Sequence, residues 1–542
     1  MSTPTPEPTP DHPTTEPTTP EPTTPEPTTP GPQATPEPQA THTTGHPGTV
    51  IATSTSTTRT TTSAAAPTDA LVTTRHTVDT VSGTLAYTAT AGRIALHGEA
   101  YAAGVFSGTE AKAPAFLTAY TLDGADPSER PVAFVFNGGP GSASVWLHLG
   151  LLGPRRVVAG DAGSPAAPPG GLLDNAETLL AHCDLVFIDP MSTGYSRAVE
   201  GKKPGDYHGF AADIESIGEI VRLWTSRNSR WLSPKFVIGE SYGTLRGAAL
   251  AEHLQRRHGL YLNGLVLISS VLDLASIDFE NQRNDRAHAL YLPFYAATAH
   301  YHGRFPGRTR DEVVAQAQAY ADRDYPWVLS RGARLTPAQR AEAVATLAAL
   351  TGLSEDYVDR ADLRIEHWRF FGELLRDQRR TVGRLDSRFT GPAGSGIAEA
   401  MDADPSMDAI DGAYTAAINH YLRAELEYSS DLPYERISER VNPWSYAEFE
   451  GRPIDVSPLL ERAMRQNPHL RVHVAFGVYD GATPPAAAEQ VLALLRLPEG
   501  LRANIERAYY DAGHMMYVHE ESRVRQSADL ADFVTRASRR EG

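Results

Sequence analysis

The chain has 542 residues and a formal net charge of −17. That length can bury a large core and suggests two to four domains, while the acidic balance argues against nucleic acid as a partner, because phosphate binding needs a basic face. With a single cysteine, Cys183, the chain forms no intramolecular disulfide, a state that suits a reducing cytoplasm or a secreted bacterial enzyme equally.

Residues 1–67 are expected to be a tail. Pro20-Glu21-Pro22-Thr23-Thr24 recurs five residues later as Pro25-Glu26-Pro27-Thr28-Thr29, and this composition is too poor in apolar side chains to offset the entropy of ordering. The tract reads as a disordered linker, a mis-assigned start, or an O-glycosylated or wall-spanning spacer. No basic stretch followed by an apolar one opens the chain, so no signal peptide is expected. That favours the cytoplasm, with secretion or wall association as the other reading. No run of about 18 apolar residues predicts a membrane span.

Residues from 68 on read as an α/β core in two parts, 68–274 and 446–542, around a helical insertion, 275–445. Residues of about 70 to 135 are strand-rich, with alternation at Thr84–Ala89 and Ala115–Tyr120 that fits antiparallel strands. Strands are expected near 131–136, 184–188, 235–239, 263–269, 471–478 and 505–510. Helical runs such as Ala487–Leu495 and Ser522–Ala537 separate or follow them. This alternation predicts a largely parallel mixed sheet flanked by helices. The insertion is rich in aromatics, for example Tyr291-Leu292-Pro293-Phe294-Tyr295 and His367-Trp368-Arg369-Phe370-Phe371, and reads as a cap over the catalytic edge.

The strand-like apolar run Pro131–Phe136 leads into Asn137-Gly138-Gly139-Pro140-Gly141-Ser142. Glycines let backbone N–H groups approach a ligand closely, as an oxyanion requires. The cluster could otherwise be a tight turn or a phosphate loop. It lacks the Gly-Lys-Ser/Thr ending of the latter.

The strand Pro234–Ile238 leads into Gly239-Glu240-Ser241-Tyr242-Gly243, and Leu245, Ala248, Ala249, Leu250 and Leu254 follow at helical spacing. A Gly-x-Ser-x-Gly box between strand and helix puts the serine on a strained turn with its hydroxyl above the sheet. Such a nucleophile needs a base and an orienting carboxylate, in the chain order Ser, acid, His for the α/β-hydrolase architecture. Asp480 and His514 each follow a strand in that order; Asp511 and His519 are the rivals. The reading is Ser241 as nucleophile, His514 as base, Asp480 as orienter, and Gly139 and Tyr242 N–H groups as oxyanion donors. No His, Cys or carboxylate cluster has metal-ligand spacing, so no metal or cofactor is expected.

Together the Asn137–Gly141 loop, the Gly239–Gly243 box, the Asp480 strand end and Gly513-His514-Met515 resemble the serine carboxypeptidase family over residues of about 70 to 540. Asp189–Ser196 is similar to another signature of that family, and Val382–Phe389 to one seen in bacterial members. The resemblance implies release of single residues from the free carboxyl end of peptides. It implies that Asn137 and Glu240 bind the terminal carboxylate. Beside a bound carboxylate, Glu240 must be protonated and donate a hydrogen bond, so activity should weaken as pH rises past its pKa.

The chain departs from the family at three points. Ser142 stands where many members have Cys, the disulfides of secreted members are missing, and Leu151-Leu152-Gly153-Pro154 replaces Glu-x-Gly-Pro. The missing Glu helps hold the carboxylate in those members. An esterase or acyltransferase on the same triad is the alternative function; a non-catalytic protein displayed on its stalk is a further one.

Overall fold

Among the described residues, short apolar runs build a nine-stranded sheet. The structure is a computed structural model that describes residues 69–539 other than 200 and 282; the Pro/Thr-rich tract lies outside the described residues. The strands, in chain order, are β1 Ala70–Thr80, β2 Gly83–Ala102, β3 Val105–Leu122, β4 Val132–Phe136, β5 Asp184–Ile188, β6 Lys235–Glu240, β7 Gly264–Ile268, β8 Arg471–Gly477 and β9 Ile505–Tyr510. Across the sheet they run β1-β2-β3-β5-β4-β6-β7-β8-β9.

Strands β1, β2, β3 and β5 pair antiparallel. From β5 onward every pair is parallel. The antiparallel strands are longer than their alternation suggested, because β2 and β3 continue as a hairpin through two register shifts, at Leu96/His97 and Ala100/Tyr101.

The parallel strands are apolar at nearly every position because both faces are covered. Side chains alternate between two cores. Ala133, Val135, Phe236, Ile238, Val266 and Ile268 enter one. Val132, Phe134, Phe136, Val237, Leu265 and Leu267 enter the other. Helices α1 Phe210–Arg227 and α2 Tyr242–His258 cover the second face through Ile217, Val221, Leu250 and Leu254. Leu530, Phe533 and Val534 of the last helix, Glu520–Ala537, cover the first.

Between β7 and β8 stands a mainly helical region that begins with α3 Arg286–Tyr301 and includes Arg310–Arg323, Pro337–Thr351 and Pro405–His420. Much of it packs on its own core. Tyr295 and Phe370 stack at 4.2 Å between ring centroids, and Phe294 meets Phe371 edge-on at 6.1 Å. Because β6, β7, β8 and β9 are parallel, their carboxyl ends open on one edge, and the loops carrying Ser241, Asp480 and His514 meet there.

Candidate active site

Ser241 joins β6 to α2 with φ +61° and ψ −130°, a backbone region costly for any residue with a Cβ. The neighbours hold it there. Ser241 N donates to Ile268 O at 3.0 Å and Thr244 N to Ser241 O at 2.8 Å. A Cβ on Gly239 would stand 2.2 Å from Gly243 O, and one on Gly138 would stand 2.5 Å from Tyr242 N. Glycine is thus required at these positions by close approach, and the Asn137–Ser142 loop lies directly on the serine turn. Tyr242 opens α2, so its N–H has no partner within the helix; no loop hydrogen bond takes up the N–H of Gly139 or of Tyr242. Ser142, at the family's Cys position, accepts a hydrogen bond from Trp146 Nε1 at 2.9 Å.

Asp480 is fully buried, three residues past the end of β8. Its Oδ1 accepts from Ala482 N at 2.8 Å and Thr483 N at 2.9 Å. Its Oδ2 accepts from Thr483 Oγ1 at 2.8 Å and lies 2.8 Å from His514 Nδ1. Every lone-pair direction is occupied, which locks the carboxylate and places the imidazole proton on Nδ1 with Nε2 left over. Burial opposes a charged His514, but the charge of Asp480 and its hydrogen bond outweigh that, and the His514 pKa is raised. No hydrogen bond joins Ser241 Oγ to His514 among the described residues. The rivals are elsewhere engaged: Asp511 is exposed and paired with Arg310, and His519 Nδ1 lies 2.9 Å from Ser522 Oγ.

Asn137 and Glu240 meet behind the serine. Asn137 Nδ2 donates to Glu240 Oε1 at 2.7 Å, while Asn137 Oδ1 accepts from Leu147 N at 3.1 Å. Burial raises the Glu240 pKa to about 7, against the opposing effects of His514, Tyr517 and Asn137. Glu240 is therefore a neutral acid below that pH. Leu151 is buried in the adjoining apolar cluster and offers this region no polar side chain.

Several contributors escaped the sequence reading. Thr483 supports Asp480 from within the same turn, and its Asp-x-x-Thr spacing was a visible signal. Asp386 accepts from Gly513 N at 3.0 Å and pairs with Arg388 at 2.6 Å. Leu385 O receives His514 N at 2.6 Å, and Arg384 O receives Gly481 N at 3.0 Å. Fully buried Arg246 donates to Asn137 O at 2.6 Å and to Asp213 at 2.7 Å. Tyr517 lies beside Asn137 and Glu240. These pairings join distant parts of the chain, and no local pattern announces them. Among the described residues no group of three or more His, Cys, Asp or Glu is placed to hold a metal ion, and no helix is long and apolar enough to cross a membrane.

Residues 108–317 match the model of the serine carboxypeptidase family, a span that holds the Asn137 loop and the Ser241 turn and ends before Asp480 and His514. No curated protein matches the chain. A prohormone-processing carboxypeptidase from Saccharomyces cerevisiae superposes with a TM-score of 0.53 at 14% identity, over 82% of this chain and 91% of that one. A proline iminopeptidase from Mycobacterium smegmatis gives 0.33 at 13% identity, over 79% and 96%. An esterase from Thermogutta terrifontis gives 0.30 at 11% identity, over 86% and 100%. The α/β-hydrolase fold and the family resemblance expected from the sequence both hold.

Proposed function

We propose that this chain, which matches the serine carboxypeptidase family over residues 108–317, releases single C-terminal residues from peptides through an acyl-enzyme on Ser241. His514 Nε2 takes the Ser241 proton as Oγ attacks the last peptide carbonyl. Asp480 accepts from Nδ1–H and stabilises the imidazolium that forms. The oxyanion is held by the N–H groups of Gly139 and Tyr242. His514 then protonates the leaving amine, the terminal amino acid departs, and water deacylates Ser241 by the same base.

The free carboxylate of the peptide is held by Asn137 and protonated Glu240. The observation that carries the reading is this buried Asn137–Glu240 pair, with Glu240 adjacent to Ser241 in the chain and neutral below a pH of about 7. A general esterase has no use for a neutral acid at that point.

The test compares a blocked dipeptide with a free carboxyl end against its amidated twin, with Ser241→Ala as blank. The free acid should be cleaved far faster than the amide. Its kcat/KM should fall at low pH as His514 is protonated, and fall again as pH rises through about 7, where Glu240 ionises and repels the substrate. The apolar Leu151 favours a second reading, an esterase or acyltransferase. Cleavage of a simple ester while both twins resist would establish that one.

A further inference from the structure

Tyr517 lies three residues past His514, in the short helix Met516–Val518. Its ring is seated on Gly150: a Cβ there would stand 2.4 Å from both Tyr517 Cδ2 and Cε2. Gly150 precedes Leu151, so the phenol fills the space beside the position where the family's Glu is missing. Tyr517 is 4% exposed, and its hydroxyl has no hydrogen-bond partner. Glu240 Oε2 is likewise buried and unpartnered. The two groups are near enough that an incipient hydrogen bond between them shifts each one's proton equilibrium, but among the described residues neither Tyr517 Oη nor Glu240 Oε2 completes a hydrogen bond.

Buried polar atoms are normally paired, and two adjacent exceptions call for an explanation. The Asn137 side chain is already engaged on both ends, by Leu147 N and by Glu240 Oε1. A carboxylate arriving here meets one spare N–H of Asn137, the Oε2 proton of Glu240 and the hydroxyl of Tyr517. Its two oxygens have about four acceptor directions, enough for all three donors.

We infer that Tyr517 is a third donor of the carboxylate subsite and hydrogen-bonds the free carboxyl end of the peptide, the role left open by Leu151. This rests on the carboxypeptidase reading. Unlike Glu240, Tyr517 donates at every working pH, since burial holds its phenol well above the usual range. Recognition of the carboxylate is therefore weakened, and not abolished, once Glu240 ionises.

Tyr517→Phe keeps the ring on Gly150 and removes only the donor. The readout is the ratio of kcat/KM for the free acid to kcat/KM for its amidated twin, which cancels general damage. The ratio should fall about ten- to a hundredfold, chiefly through KM, as for loss of a hydrogen bond to a charged group. Gly150→Ala, whose Cβ would press on the Tyr517 ring and, at 2.5 Å, on the Tyr414 hydroxyl, should lower the ratio as well; Tyr414→Phe, which leaves the Tyr517 hydroxyl in place, should not, and this pair decides the matter if Tyr517→Phe does not fold. A ratio within about twofold of the wild type in the folded variant would overturn the role of Tyr517 and leave the carboxypeptidase reading standing. A wild type that cleaves both twins alike overturns both.

Discussion

Asp511 is the sequence's rival to Asp480 as the acid, and their surroundings separate them. Asp480 is enclosed and its oxygens meet Ala482 N, Thr483 N, Thr483 Oγ1 and His514 Nδ1. Asp511 faces solvent beside Arg310. Asp480→Asn preserves the shape but presents a donor toward His514 and selects the wrong tautomer. It should lower kcat by about 10³–10⁴-fold. Asp511→Asn should stay within about threefold of the wild type, since exposed ion pairs contribute little. Steady-state rates on the free-acid dipeptide check both. Ser241 was legible because its turn is local: strand, strained serine and helix are contiguous. His514 and Asp480 were legible because strand ends and chain order are read along the chain. Tyr517 and Arg246 were not, because their significance lies in what stands opposite them after folding.

At the level of elements, the segment Val382–Phe389 acts as a bracket. Arg384 O holds the Asp480 turn through Gly481 N, and Leu385 O holds the His514 loop through the His514 N–H. Asp386 holds Gly513 N across 127 residues of chain and is itself kept in place by Arg388. The sequence marked this stretch only as a resemblance; its job depends on two loops that come later. Asp386→Asn keeps an acceptor for Gly513 but leaves Arg388 with only the half-buried Asp161, 3.1 Å away, as counter-charge. It should cost about 2 kcal/mol of stability, less than leaving a buried charge wholly unpaired. Because the bracket sets the base relative to the nucleophile, kcat per titrated Ser241 should also fall, by about ten- to a hundredfold. A variant that melts earlier but keeps full kcat per active serine would reduce Asp386 to a structural part.

For the whole molecule, the site is a stability burden that depends on pH. Glu240 has its folded pKa raised from 4.5 to about 7 by burial. Below a pH of about 4.5 the group is protonated folded and unfolded alike. As pH rises toward about 7 the unfolded chain releases the proton and the folded chain retains it, so stability contributed by the protonated form is lost through that window. Glu240→Gln lacks this loss. Its melting temperature should gain on the wild type between those two pH values, while its free-acid activity loses the alkaline fall. Calorimetry at both ends of the window measures the first effect, and an unchanged difference in melting temperature would show that Glu240 ionises freely in the folded protein.

The bracket also bears on how such enzymes can diversify. In many scaffolds a lid is a detachable module, free to be exchanged so that new substrates are tried against unchanged chemistry. Here a middle segment of the helical insertion is bonded to both the Asp480 and the His514 loops. A chimera that replaces the insertion as one block removes the clamp on the Asp480 and His514 loops with it. Splice points on the amino side of Val382 and beyond Phe389 keep the clamp, and grafts made there should leave the catalytic loops intact. Variation in substrate preference is thereby channelled into the helices on either side of the bracket.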